Sequence, residues 1–391
     1  MDLFYSTHQN LIDSLKGVID RQLTNEIDWD HPLIGIKGSR GVGKTMFLLD
    51  YAKRMDAKYG RSCLYVNLNS FYFTKRRIYS FADEFFKRGG KLLILDQMHK
   101  YPNWSNELRL IYDNIPGLKV VFSGSPVLRI IEGNDELKDI AHMYHLHPLS
   151  FREYLNFRTG NKFECLSLDE ILHDHQQIVP TILSKVRPLA YFTDYLKHGC
   201  YPYFQDDAAI YNETLLKHIN LALEIDVTYT NQIELQYLPR LRKLMQIIAD
   251  HVPFSPNVSK ISGEIDTSRA TVMNYLRYLK NAKLLNLIYQ GEEGASKKPA
   301  QVYLHNTNLM YAISPENISN NSLRKTFFLN QTGVRFNVKA CNGADFLLDH
   351  DKKFMVGGKY TKPATNGFAA ADMIEIGSEN IIPLWLFGFL Y

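Results

Sequence analysis

An α/β fold with a parallel sheet at its core is predicted by three observations. A glycine-rich octapeptide, Gly38-Ser-Arg-Gly-Val-Gly-Lys-Thr45, joins an apolar strand to a helix. A second apolar run, Lys91-Leu-Leu-Ile-Leu-Asp96, ends in an acid. Strands of this kind alternate with helical segments as far as about residue 150, the pattern of a doubly wound parallel sheet. A helix-rich stretch over 151–235, a helix-turn-helix pattern over 236–315 and a small α+β region over 316–391 follow.

The elements of the first 150 residues read in order. Residues 1–28 have the pattern of an amphipathic lead-in helix, and Leu33–Ile36 form a short buried strand. The octapeptide fits G-x-x-x-x-G-K-[ST], the P-loop of nucleoside triphosphatases. Gly38, Gly41 and Gly43 let the backbone turn tightly and aim N–H groups, including those of Ser39, Arg40 and Val42, at phosphate oxygens. Lys44 adds positive charge beside the β and γ phosphates, and the Thr45 hydroxyl can ligate Mg²⁺. Met46 opens a helix through Ala52 whose N-terminus lies under the phosphates. ATP and Mg²⁺ are therefore the expected ligands.

A second strand follows at Cys63–Leu68, then a helix near 78–88. The strand ending at Asp96 supplies the second nucleotide-site signature, an acid that holds Mg²⁺. Lys119–Ser123 makes a further buried strand, and Ser123-Gly-Ser-Pro126 then sits at the carboxyl edge of the sheet, where ligands bind. Ser123 or Ser125 can sense the γ-phosphate or the attacking water. Gln97 decides the enzymology. Nucleotidases of this layout commonly place Glu after the strand-terminal Asp to polarise the attacking water, and Gln cannot accept a proton. Losing a general base costs about 10²–10⁴ in rate, so ATP binding with slow or no hydrolysis is expected. A glutamine does orient water in some GTPases, which leaves turnover through Gln97 or another group as the alternative.

Bulk properties narrow the class. At 391 residues the chain exceeds one ordinary domain, and its 45% hydrophobic content can fill more than one core. A net charge of +4 is too mild to diagnose a nucleic-acid binder. The four cysteines are scattered without a C-x-x-C pair, which argues against a zinc finger or disulfide framework and fits a reducing compartment. The opening Met-Asp-Leu-Phe-Tyr-Ser lacks a basic n-region and an apolar h-region, so no signal peptide is expected. The longest apolar run, Ile381–Tyr391, is too short to span a bilayer and contains Pro383; it reads as the last buried strand. A cytoplasmic protein without a membrane partner is the expectation.

Asp96-Gln-Met-His-Lys-Tyr-Pro-Asn-Trp104, Ser123-Gly-Ser125 and Pro148-Leu-Ser-Phe-Arg-Glu-Tyr154 resemble a bacterial and archaeal AAA-type ATPase family of the archaeal-ATPase and STAND-related clade. The resemblance runs to the terminal Ile-Pro-Leu-Trp-Leu-Phe-Gly-Phe-Leu-Tyr. It implies an AAA-type core (1–150), a helical lid (151–235), a winged helix (236–315) and a C-terminal module like restriction-type nucleases (316–391). It also implies ATP, Mg²⁺ and a ring or open homo-oligomer. Family roles fall on Lys44 and Thr45 (phosphate and Mg²⁺), Asp96 (Mg²⁺) and Ser123 (sensor). Three departures stand out. Gln97 replaces Glu; Asp139 and Ile140 lie where relatives carry arginines able to act on a neighbour's γ-phosphate; Met355 replaces an acid in Phe354-Met-Val-Gly-Gly-Lys359. Each removes a charge that chemistry could use, as in a disabled member.

Farther along, Leu241, Leu244, Ile247 and Ile248 form one apolar face, and Val252-Pro-Phe-Ser-Pro256 breaks it. Asp266-Thr-Ser268 caps a second helix in which Val272, Leu276 and Leu279 face inward. Arg269, Met273, Arg277 and Lys280 share another face. Residues 236–290 hold eight Lys or Arg against three acids, a balance of +5. Such a helix can enter a DNA major groove through Arg269, Arg277 and Lys280, or serve as the solvated face of a protein-docking module. His142/His145/His147 and His173/His175 lack matching Cys or carboxylate spacing, so no zinc site is expected. Strands are expected at Val334–Val338, Asp345–Leu348 and Lys353–Val356. A nuclease of the Asp…Glu-x-Lys type needs two acids and a lysine around a metal; Asp345 and Lys359 are present, but Met355 cannot ligate. The functional expectation is an ATP-dependent conformational or assembly switch, with an ATP-regulated DNA-binding regulator or defence factor as the alternative.

Overall fold

Short apolar strands separated by helices leave the backbone one economical solution, a parallel sheet covered on both faces. The computed structural model describes residues 1–125, 137–205, 208–291, 293–294 and 297–391. Contacts divide the chain into two compact units, Met1–His147 and Pro148–Tyr391.

In the first unit, β1 (Leu33–Lys37), β2 (Cys63–Asn67), β3 (Leu92–Asp96), β4 (Lys119–Gly124) and β5 (His142–His145) form one parallel sheet in the order β2-β3-β4-β1-β5. Helices α1 (Asp2–Ser14), α2 (Leu23–Glu26), α3 (Lys44–Tyr59), α4 (Ile78–Lys87) and α5 (Trp104–Asn114) accompany it. The alternation of β2 sends Leu64 and Val66 into a core with Phe81, Phe85, Leu93, Leu95, Phe122 and Ile140. Phe4 of α1 closes that core edge-on against Tyr72 and Phe81, each at 4.9 Å between centroids. Strand order matters for the site: β4 lies between β1 and β3, so the ends of all three meet at one edge.

The second unit begins with α6 (Phe151–Thr159), held by a Ser150–Glu153 capping box, then α7 (His175–Leu183), α8 (Pro188–Asp194) and α9 (Ala208–Leu221). α8 continues as a wider π turn, Tyr195–Gly199. There Gly199 is required, since a Cβ would stand 2.3 Å from the Tyr195 ring. Next come α10 (Leu238–Ala249), α11 (Val258–Glu264) and α12 (Arg269–Asn281), followed by an antiparallel pair, β6 (Leu285–Ile288) with β7 (Gln301–Leu304). Beyond α13 (Thr307–Ile313) and α14 (Asn320–Thr332) lies a mixed sheet, β12-β11-β10-β9-β8. Its strands are β8 (Val338–Cys341), β9 (Ala344–Leu348), β10 (Lys352–Gly357), β11 (Phe368–Ala371) and β12 (Ile381–Pro383). Phe327 of α14 packs edge-on against Phe192 and Tyr195, so the C-terminal region shares a core with the earlier helices.

Three expected elements differ. The lead-in helix is broken: α1 stops at Ser14, because Leu15 turns extended and Gly17 is left-handed at φ 62°. The strand expected over 334–338 starts only at Val338, since Arg335 and Phe336 donate back to the Thr332 carbonyl and finish α14 with a turn. The terminal run is a strand only over Ile381–Pro383 and then a 3₁₀ turn, Leu384–Phe389. Proline has no N–H with which to extend the ladder.

Buried His8 fastens α1 to the sheet. Its Nδ1 accepts the Tyr65 backbone N–H at 2.9 Å, and its Nε2 lies 3.6 Å from Asp56 Oδ1. Burial lowers the His8 pKa, with Asp56 opposing. The folded value lies below the unfolded one of roughly 6.5, so protons favour the unfolded chain; the contribution is full above that value and is lost as pH falls through the folded value. Thermal unfolding between pH 8 and 5 should show the loss, and His8→Asn should flatten that part of the profile. An unchanged profile would assign the effect elsewhere.

Candidate functional site

The loop after β1 needs its glycines for two different reasons. Gly41 (φ 81°) and Gly43 (φ 94°) occupy left-handed conformations. Gly38 is demanded by approach: a Cβ there would stand 2.5 Å from the Leu146 carbonyl oxygen. α3 starts at Lys44 directly after Gly43. Lys44 Nζ donates to the carbonyls of Gly38 (2.6 Å) and Ser39 (2.8 Å), which folds the ammonium over the loop. Ser39 is buried and its Oγ has no hydrogen-bond partner. Val42 is fully buried, Arg40 and Met46 are half-buried, and Thr45 is exposed.

Asp96 is the focus. Its carboxylate is 1% exposed and receives four donors. Oδ2 accepts the hydroxyls of Thr45 (2.7 Å) and Tyr65 (2.8 Å). Oδ1 accepts the Gln97 backbone N–H (2.9 Å) and the Ser123 hydroxyl. The Ser123 oxygen also accepts the Gln97 N–H at 3.1 Å. The pairing of Leu95 with Phe122 brings Asp96 and Ser123 level at adjacent strand ends. Gln97 adopts a left-handed conformation (φ 60°, ψ 40°), uncommon for a residue with a Cβ.

Among the sequence-predicted residues, Lys44, Thr45, Asp96, Gln97 and Ser123 thus converge. Ser125 is buried nearby in sequence, and Pro126 lies outside the described residues. Asp139 pairs with Arg109 at 3.3 Å, and Ile140 is buried in the sheet core, so an arginine at 140 would bury a charge.

The remaining candidates lie in the second unit. Ser268 caps α12 by accepting the Thr271 N–H, and Arg269 and Arg277 are exposed. Lys280 pairs with Glu293, an acid beyond the stretch counted in the sequence, which offsets one charge of its basic excess; Arg240 pairs with Asp266 (2.9 Å), which that count already includes. On β9, Asp345 pairs with Lys325 of α14 at 2.6 Å and accepts the Val356 N–H at 2.8 Å. Lys359 is exposed beside the Tyr360 ring. Among the described residues, no three His, Cys, Asp or Glu side chains cluster as a metal site.

Sequence reasoning missed Arg21 and Tyr65. Arg21 is buried; it donates to the Val42 carbonyl (3.0 Å) inside the loop and to the His147 carbonyl (2.5 Å). Nothing local marks it, because its partners are 21 and 126 residues away. Tyr65 carried a signal: a phenol in a buried strand needs a polar partner. Arg21→Ala should leave the Val42 carbonyl, and in part that of His147, short of a donor and loosen the loop. A fluorescent ATP analogue should then bind about tenfold more weakly, the size of one hydrogen bond to a charged group. Unaltered affinity would mean the loop holds its shape without Arg21.

Comparisons with known proteins agree with this geometry over the first unit. Residues 30–155 match the family model described as an AAA domain, and residues 189–326 match a domain of unknown function. The chain is similar to an uncharacterized protein of Methanocaldococcus jannaschii, 24% identical over 293 residues. The match covers 71% of this chain and 60% of that relative's length. Among solved structures, Aquifex aeolicus DnaA bound to AMPPCP shows 14% identity and a TM-score of 0.27, covering 72% of this chain and 88% of that one. The S. cerevisiae Hsp104–ADP complex shows 16% and 0.30, covering 71% and 45%. C. elegans PCH-2 shows 16% and 0.25, covering 40% and 44%. The segment matched by the AAA domain model, residues 30–155, contains the loop, Asp96 and Ser123.

Proposed function

We propose that this chain binds ATP with Mg²⁺ and works as a nucleotide-dependent conformational or assembly switch in which hydrolysis is weak. The observation that carries the reading is the convergence of Lys44, Thr45, Asp96 and Ser123 at one sheet edge, with Gln97 in the following position. The residues fit the ligand. Ser39 Oγ is a buried polar atom without a partner, and Gly38 keeps the cradle open. The Thr45 hydroxyl and Asp96 carboxylate are hard oxygen groups of the kind Mg²⁺ prefers. Mg²⁺, when bound, neutralises charge on the β and γ phosphate oxygens. Lys44 exchanges its two loop carbonyls for those oxygens, and Ser123 stands ready to orient water. Gln97 can hydrogen-bond that water but cannot take its proton. Neither Asp139 nor Ile140 supplies a cation to a neighbouring copy, so assembly, by this reading, responds to bound ATP rather than driving its cleavage.

Lys44→Ala should abolish ATP binding. Gln97→Glu should bind ATP as the parent does and raise turnover by about 10²-fold or more. Equal turnover in parent and Gln97→Glu would show that another group positions the water and would sink the weak-hydrolysis part of the reading.

A second reading is kept by one observation: three helices followed by a β-hairpin, the order of a winged helix, with Arg269 and Arg277 exposed on the capped α12. If this element holds DNA, affinity should fall steeply with salt, and removing Arg269 or Arg277 should reduce the log–log slope by about one each. No DNA retention at low salt removes it.

A further inference from the structure

We propose that the carboxyl edge of the C-terminal sheet binds single-stranded nucleic acid, with backbone phosphate on Arg324 and Lys359 and a base stacked on Tyr360. The site is separate from nucleotide binding in the first unit and uses none of the α12 cations.

Strand direction makes the site. β10 and β11 run parallel, with Gly357 level with Ala371, so both leave the sheet at one edge. There β10 passes into Gly357-Gly358-Lys359-Tyr360 and β11 into Asp372. Three bonds close the turn. The Asp372 N–H donates to the Gly357 carbonyl at 2.9 Å, and Thr361 donates its N–H (3.0 Å) and its hydroxyl (2.8 Å) to the Gly358 carbonyl. Gly358 leaves room for a guanidinium: a Cβ there would stand 3.2 Å from Arg324 Nη1. Arg324 is held in place because its Nε donates to Asp372 Oδ2 at 2.8 Å. That bond spends one of the five guanidinium N–H donors and sets the plane of the fork that matches phosphate oxygens. Around this edge the acids are mostly engaged elsewhere. Asp345 pairs with Lys325 at 2.6 Å and Glu375 with Arg187 at 2.7 Å. Arg324, Lys359 and Lys362 then face only Asp372, three cations to one acid, and both lysines are exposed. Tyr360 supplies the second kind of contact. It is 88% exposed on the closed turn, with Lys359 Nζ 5.9 Å from its ring centre. Cations beside an exposed aromatic face suit a single strand, whose phosphates need charge and whose unpaired bases are free to stack.

The test is fluorescence anisotropy of a labelled oligodeoxythymidine of about a dozen nucleotides, with the full chain, across a salt series and without ATP. The parent should bind at low salt. Tyr360→Ala should weaken binding about tenfold, the loss of one base stack, and Tyr360→Phe, which keeps the ring, should restore it. Lys359→Ala should lower the log–log salt slope by about 0.7, one phosphate contact on a single strand. Both side chains are exposed, so neither change disturbs the core. No oligomer binding by the parent at low salt overturns the proposal, as does an affinity unmoved by Tyr360→Ala or a slope unmoved by Lys359→Ala. Binding lost instead on Arg269→Ala belongs to α12 and overturns it as well. None of these outcomes bears on ATP binding at Lys44, which is measured separately.

Discussion

The buried carboxylate of Asp96 is the constraint on which the first unit turns. An ionised group at 1% exposure costs several kcal/mol unless it is hydrogen-bonded. Here the compensation comes from four parts of the fold at once: the start of α3, the middle of β2, the residue after β3 and the end of β4. Those parts meet only if β4 stands beside β3 and carries Ser123 level with Asp96, as the strand order and register arrange. Gln97, after β3, gives its backbone N–H to the same carboxylate.

The sequence made one half of this site readable and concealed the other. Lys44, Thr45, Asp96 and Ser123 were legible because phosphate and metal chemistry fixes their spacing within a loop or at a strand end. Arg21 and Tyr65 were not, since each acts on a group far away along the chain through strand register and packing. The same division holds for the fold. The strands β1 to β4 were found within one or two residues because buried parallel strands are continuous apolar runs. The break after Ser14 and the late start of β8 at Val338 were not, because helix-breaking and helix-closing turns there depend on single backbone bonds, not on periodicity.

In the second unit, polar side chains do the joining that the sequence could not display. Asn308 is fully buried, and its amide accepts from the Cys200 N–H (2.8 Å) and the Tyr211 hydroxyl (2.5 Å) while donating to the carbonyls of Tyr195 (3.1 Å) and Leu196 (2.8 Å). Gln331 of α14 donates to the Tyr195 hydroxyl at 3.0 Å and accepts the Phe151 N–H at 3.3 Å. Segments that read as a lid, a helix-turn-helix and a terminal module are therefore bonded through one buried network. Truncating any of its amides would strand several partners together, since a buried network is costly once part-satisfied.

Charge placement gives positions 97, 139, 140 and 355 a common physical character. At 140 the chain carries an isoleucine packed into the sheet core, where a cation would be unsolvated. At 139 the acid is engaged by Arg109. On the C-terminal sheet the register that opposes Phe354 to Phe346 sets Met355 across from Asp345, whose charge is answered by Lys325 and the Val356 N–H. An acid at 355 would face that carboxylate and demand a cation to offset it; methionine demands none. At 97 the side chain is uncharged while its backbone serves Asp96. At 140 and 355 the uncharged side chain thus suits an environment already neutral without a further charge. A charge placed at 355 or 140 would require rebuilding the surroundings, as the core packing of Ile140 and the Asp345–Lys325 pair show.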